Sequence, residues 1–298
     1  MKNRFKFHRI SVLVLLLLFA ARLFAGEGLH ILLTNDDGFD SAGLKILREQ
    51  LEDYGHSVSV VAPLAQRSGS GMKITVGALS VQREEEKVWS VDASPADSVS
   101  FALKHLMVST PPDLIVSGAN FGQNLGSIIF SSGTVGAAMM AALLGKPAIA
   151  VSVGILLEEA HLEPERFPST VAVFPAAAQF TAKLVEDVAE LVRNGKYPLG
   201  HVLNINYPAR ERSDIKGAAW VPASRFPGFE LVYPVDKDGG IRSWIETSKR
   251  GLSDPDSDIQ KFSEGFVTLS WLMPDWNSRP SDPKKEFLKN PNKYLQAP

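Results

Sequence analysis

Cysteine is absent from this 298-residue chain, which excludes disulfides, thiolate chemistry and cysteine-based metal sites. Histidine is scarce: the six copies are scattered, one of them within the first ten residues, without the spacing of a zinc site. No Gly-Lys-Ser/Thr ending closes a phosphate loop and no Gly-x-Gly-x-x-Gly fingerprint occurs. Nucleoside triphosphate hydrolysis and NAD binding are thereby disfavoured. Beyond the N-terminal head there is no basic run, so the phosphate neutralisation that gives long nucleic acids their affinity is missing. The apolar run Val12–Ala21 stops after ten residues at Arg22, short of the roughly 20 that cross a bilayer.

What is present begins with an N-terminal head. Lys2, Arg4, Lys6 and Arg9 precede that apolar run, and Ala25, with Ala21 as a second candidate, offers a cleavage point. This is the layout of a secretory signal peptide over residues 1–25, so an exported protein, periplasmic or secreted, with no stable membrane anchor after cleavage is expected. Removing it leaves 26 Lys plus Arg against 33 Asp plus Glu, a net charge of −7. An acidic chain takes a small phosphorylated ligand only where a cation is supplied locally. At 45% hydrophobic residues the chain can bury a sizeable core.

Short apolar runs alternate with helix-length segments. Leu29–Thr34, Val58–Ala62, Leu114–Val116, Ala148–Val153 and Val202–Ile205 read as buried strands. Ser41–Tyr54, Ala96–Val108, Thr134–Leu144 and Val171–Arg193 read as helices. Strands apolar on both faces and separated by helices predict an α/β fold: a Rossmann-like, doubly wound, mostly parallel sheet over residues 26–206. Residues 207–272 change to Pro, Gly, aromatic and β-branched texture and predict a C-terminal β-hairpin extension. Residues 273–298 form a polar, proline-rich tail.

In an open α/β sheet, ligands bind beyond the carboxyl ends of the strands, so the residues that follow each strand carry the chemistry. The first strand runs into Asn35-Asp36-Asp37-Gly38, two adjacent acids in a turn whose glycine can take a positive φ. Such a turn is also an ordinary helix N-cap with a solvated acid. The second strand leads to Arg67-Ser68-Gly69-Ser70-Gly71, whose backbone could form an anion nest or a plain flexible loop. The third leads to Ser117-Gly118-Ala119-Asn120 and then Ser132-Gly133-Thr134, which opens a helix and offers N–H donors to a phosphate. Carboxylates, an amide oxygen and a hydroxyl are hard oxygen donors, suited to Mg²⁺ or Mn²⁺.

Taken together, Ile31–Gly38, Val60–Pro63 with Ser68-Gly69, Ser94–Asp97, Pro112–Gly118 through Asn120, Ser132–Ala138, Val202–Asn206, and Ser257-Asp258 with Glu264-Gly265 resemble the SurE survival-protein family. The resemblance spans about residues 29 to 272. It implies a phosphatase that hydrolyses nucleoside 5'- or 3'-monophosphates and uses one divalent cation per subunit. Asp36, Asp37, Ser68 and Asn120 map to its metal ligands, with Asp36 and Asp37 also the catalytic pair. Asn35, Gly69, Ser132, Gly133 and Thr134 map to its substrate and phosphate contacts. A homodimer or homotetramer joined through a C-terminal β arm is implied as well. The sequence departs from the family between Gly126 and Ser132, where Ser127, Ile128 and Ser131 replace the usual acidic pair and tyrosine.

Two other readings fit the residues. An exported α/β binding protein would capture a phosphorylated small molecule without turnover, and would be expected to show two comparable lobes. An inactive relative or structural partner would follow if the segment around Ser127–Ser131 closed the pocket.

Overall fold

The computed structural model describes residues 28–160, 162 and 167–274. The expected signal peptide and all of the polar tail but Met273 and Pro274 lie outside the described residues.

The sheet is built from β1 (His30–Thr34), β2 (Ser57–Pro63), β3 (Val81–Glu85), β4 (Val88–Val91), β5 (Leu114–Phe121), β6 (Ala148–Val153), β7 (Val202–Tyr207), β8 (Gly217–Trp220) and β11 (Phe266–Leu272). Its nine strands run in the order β3-β4-β2-β1-β5-β6-β7-β11-β8. Neighbours from β4 through β7 are parallel, so the mostly parallel α/β expectation holds. The main helices are α1 (Ala42–Asp53), α2 (Pro95–Phe101), α3 (Gly133–Leu143) and α4 (Pro168–Arg193).

Strand alternation sorts the core into two layers. Ile31 and Leu33 of β1 point to one face, where Leu44, Leu47 and Leu51 of α1 and Phe174, Ala178 and Val185 of α4 cover them. Leu32 points to the other face, against Ala96 and Val99 of α2 and Val135 and Ala138 of α3. The three leucines of α1 recur at three- and four-residue spacing, one stripe of a helix whose other sides are polar. Helix α2 starts cleanly because Ser94 and Asp97 form a reciprocal capping box with Pro95 in the first turn.

The C-terminal part is more than an appended arm. Strand β11 joins the main sheet antiparallel to β7, and β8 pairs parallel with β11. Only β9 (Phe229–Val232) and β10 (Trp244–Thr247) form a separate two-stranded antiparallel ribbon. Two short helices, α5 (Lys249–Leu252) and α6 (Asp258–Glu264), lead back into β11.

The chain leaves β1 toward β2 and β4 on one side, then returns to place β5 on β1's other flank. The strand order therefore reverses between β1 and β5. Ligands in open α/β sheets bind at this kind of switch point.

Candidate active site

Register places the two key loops side by side. Thr34 of β1 pairs with Ser117 of β5, so Asn35–Gly38 emerges beside Gly118–Phe121. The β5–β6 register shifts between Ser117 and Asn120, where the strand carries glycine and polar residues yet continues to Phe121.

Asn35 holds the turn. It is fully buried; its Nδ2 donates to Gly38 O at 2.9 Å and Ser41 Oγ at 2.7 Å, and its Oδ1 accepts from Gly38 N at 3.2 Å. Expected among the phosphate contacts, Asn35 uses its side-chain amide protons within the turn. Gly38 adopts φ +106, open to glycine and strained for other residues.

The turn aims its acids into separate supports. Asp36 is only 2% exposed and accepts the Thr134 hydroxyl at 2.5 Å. Backbone N–H groups of Thr134 and Gly133 also offset its charge, yet burial dominates and raises its pKa. Half-buried Asp37 accepts the Phe121 N–H at 2.9 Å through Oδ2. Burial, followed by repulsion from Asp36, pushes its pKa up to about 6. Asn120 is 7% exposed; its Nδ2 donates to Gly122 O at 2.6 Å, while its Oδ1 is buried without a hydrogen-bond partner.

The loop after β2 completes one side. Arg67 N–H donates to Asp36 O at 2.6 Å, and Gly71 N–H to Ser131 O at 3.0 Å, tying the loop both to the acid turn and to the entry of α3. Ser68 and Gly69 are exposed; Ser68 Oγ accepts from Gln66 Nε2 at 2.6 Å. Ser70 of the same loop, not among the expected ligands, has a buried, unpartnered Oγ. A methyl group placed on Gly133 would lie 2.8 Å from both Ser70 Oγ and Asp36 Oδ2. Ser70 and Asp36 thus face the same bare glycine at the start of α3. Ser132 caps that helix, its hydroxyl accepting Val135 N–H at 3.0 Å. The structure therefore gathers Asp36, Asp37, Asn120, Gly133 and Thr134, with Ser132 just behind as the cap and Ser68 and Gly69 on the exposed rim.

These residues fit a hard divalent cation. Among the described residues no group of three or more His, Cys, Asp or Glu could hold a metal, so the set is two carboxylates plus neutral oxygens. Mg²⁺ and Mn²⁺ accept one or two carboxylates and complete their shell with water. Two buried oxygens without partners, Asn120 Oδ1 and Ser70 Oγ, and an acid pair whose burial and repulsion favour protonation are what a cation would satisfy.

Residues far away in sequence stiffen the rim. Asn124 accepts from the side-chain amides of Asn204 and Asn206 at 3.0 and 3.2 Å through its carbonyl, and donates to Ser152 Oγ at 2.9 Å. Asp258, fully buried, accepts N–H groups from Gly126, Ser224 and Ile259 at 2.8 to 2.9 Å, though burial still raises its pKa. Asp258 stands in one of the sequence motifs, but its role as a tie between two distant loops had no local signal.

Comparisons with known proteins bear on the family and the fold. A family model described as survival protein SurE matches residues 31–226. The chain is 33% identical over 251 residues to the 5'-nucleotidase SurE of Rhizorhabdus wittichii, covering 83% of this chain and 94% of that one. It is 36% identical over 250 residues to the 5'-nucleotidase SurE of Geotalea daltonii, with the same coverages. The crystal structure of the SurE protein from Aquifex aeolicus superimposes with a TM-score of 0.66 at 29% identity, covering 90% of this chain and 100% of that one.

Proposed function

The chain belongs to the SurE survival-protein family, and from that premise we propose that it is a metal-dependent 5'-nucleotidase, a phosphoric monoester hydrolase acting on nucleoside 5'- or 3'-monophosphates. The observation that carries the chemical part is the meeting of Asp36, Asp37 and the unpartnered Asn120 Oδ1 at the sheet's switch point.

Asp36, Asp37 and Asn120 would hold one Mg²⁺ or Mn²⁺ per subunit, with a hydroxyl from the Ser68–Ser70 loop as the remaining protein donor. When bound, the cation polarises a phosphoryl oxygen and lowers the pKa of a water. The chain's own residues orient the rest. Thr134 and the first N–H groups of α3 fix Asp36 and partly oppose the burial that raises its pKa. Phe121 N–H holds one oxygen of Asp37, and as the less buried acid Asp37 is the better placed to accept a proton from water. Arg67, paired with Asp92 at 2.5 Å, and Lys73 line the adjoining cleft and bias it toward an anionic ester.

The rival readings find less support. One nine-stranded sheet spans the fold, unlike the two comparable lobes of an exported binding protein. The replaced segment forms a short 3₁₀ turn over Ser127–Phe130 with no buried residue, which does not seal the acid site. We further propose export, guided by residues 1–25, and self-association through the β9–β10 ribbon, where Leu231, Val235, Ile241 and Trp244 are at least half exposed. Phosphate release from 5'-AMP before and after EDTA, with Mg²⁺ or Mn²⁺ restored, tests the reading. Release that EDTA leaves untouched would contradict the metal dependence.

A further inference from the structure

Asn120 owes its orientation to the chain that follows it. Its Nδ2 donates to Gly122 O at 2.6 Å, which leaves its buried, unpartnered Oδ1 for the cation. Gly122 N–H still bonds Val153 O at 2.8 Å, but the Gly122 carbonyl on which Asn120 leans lies past that bond, between it and Asn124. Gly122 itself sits at φ +119, a conformation in which glycine is a free joint. What fixes Asn124 therefore fixes the support of Asn120.

Asn206 supplies that fixation. Its Oδ1 accepts Asn124 N–H at 2.8 Å and its Nδ2 donates to Asn124 O at 3.2 Å, so one side-chain amide meets both polar groups of one residue's backbone, the pairing that a neighbouring strand would offer. Asn204 Nδ2 also reaches Asn124 O, at 3.0 Å, but its Oδ1 is buried without a partner. Among the described residues, Asn206 alone engages both sides of Asn124. Register explains the reach: Asn120 of β5 pairs with Ser152 of β6, and Ser152 pairs with Asn206 of β7. Strands about 4.8 Å apart put Asn206 about 10 Å from Asn120, too far to meet it directly. Asn124 closes the gap by folding back over this row, its own Nδ2 donating to Ser152 Oγ at 2.9 Å.

We propose that Asn206, 1% exposed, is a positioning residue for the cation site: by gripping Asn124 it holds the chain that presents Asn120 Oδ1, without touching metal or substrate. The assignment rests on the metal-dependent reading above and adds to it a residue outside the ligand set. Sites of this kind need their donors within about 0.5 Å of the productive geometry, and loss of a supporting partner behind a metal ligand typically costs about 10- to 100-fold in metal affinity.

Asn206→Ala removes both bonds of the grip. Ile205→Val, on the opposite face of the same strand in the other core layer, is the structural control. In the full chain, calorimetric Mn²⁺ affinity is predicted to fall about 10- to 100-fold in Asn206→Ala and to stay unchanged in Ile205→Val. Amide exchange of the metal-free chain, read by mass spectrometry, is predicted to quicken across residues 121–125 in Asn206→Ala alone. If circular dichroism shows Asn206→Ala unfolded, Asn206→Asp keeps the acceptor for Asn124 N–H, loses the donor, and is predicted to shift both readouts in the same direction. Wild-type Mn²⁺ affinity in the folded variant, a loss matched by Ile205→Val, or a loss without faster exchange would overturn the assignment alone. A wild-type chain that binds no Mn²⁺ would sink the metal-dependent reading and this assignment with it.

Discussion

The Thr134 hydroxyl donates to Asp36 Oδ1 at 2.5 Å across 98 residues of sequence, joining the first helical turn of α3 to the acid turn after β1. Asp36 is nearly excluded from water, so this bond and three backbone N–H groups carry what solvent would otherwise supply. Thr134→Val keeps the shape and removes the donor. It should cost about 1.5–3 kcal/mol of stability at neutral pH, the range for hydrogen bonds to charged groups. Chemical denaturation of the metal-free protein checks this, and a change within error would show that the bond contributes little.

Gly133 is required by space and not by backbone conformation. An added methyl group would meet Asp36 and Ser70 at 2.8 Å, closer than side chains pack. Gly133→Ala should destabilise the fold by about 1–3 kcal/mol through overpacking and displace the Asp36 carboxylate, with a larger loss in kcat than in 5'-AMP affinity. Thermal unfolding and steady-state kinetics on the same variant read both effects.

His56 gives the fold a pH dependence of known sign. Its Nδ1 accepts Leu29 N–H at 3.2 Å, which a protonated ring could not do. Nε2 lies 3.1 Å from Glu186 Oε1, close enough for attraction but not aligned as a hydrogen bond. Burial lowers the pKa, opposed by Glu186 and reinforced by Arg193. The unfolded chain then binds more protons than the folded one as pH falls through the ordinary histidine value of about 6.5. Stability from this group is present above that value and lost below it, until pH passes the depressed folded value. His56→Gln should flatten the slope of unfolding free energy between about pH 7 and pH 5, measured by urea titration. An unchanged slope would assign it to other groups.

Exported protein should begin near Gly26, which N-terminal sequencing of the mature material reads; an intact Met1 on secreted protein would count against a cleaved signal. Light scattering at micromolar concentration should give a dimer or tetramer, and removal of residues 229–247 should reduce it to monomer. A monomeric intact chain would remove the β9–β10 ribbon as an assembly element.

The strands that carry the site were legible because nothing competes with their signal. Ala148–Val153 is apolar but for Ser152 and buried on both faces, so the run in the sequence and the strand coincide. The sequence predicts three residues for strand β5 and the structure has eight, since Ser117, Gly118 and Asn120 interrupt the apolar pattern where the strand enters the candidate site. The β3–β4 hairpin has no counterpart among the strands expected from the sequence. Gln82–Glu85 are exposed and polar on an outer edge, where charge protects against further pairing and hides the alternation. The sequence predicts helix α4 only from Val171 because Pro168 looks like a breaker, whereas Pro168 occupies the first turn of the 26-residue helix. Within the site, the acid pair and Asn120 were visible from their place after strands. The burial of Ser70 Oγ, the enclosure of Asn35 and the reach of Asp258 depend on contacts that no local pattern encodes.

The central claim is that the acid pair holds a catalytic cation, and Asp37→Asn measures it most directly. The change keeps an oxygen for Phe121 N–H while removing one of two adjacent charges that burial and repulsion already disfavour. The metal-free variant should be as stable as wild type or more so. Calorimetric Mn²⁺ affinity should fall at least about tenfold, equivalent to about 1.4 kcal/mol, and phosphate release from 5'-AMP should fall by orders of magnitude. Near-normal turnover at saturating metal, with stability lowered by about 1 kcal/mol or less as for a lost helix cap, would contradict the account.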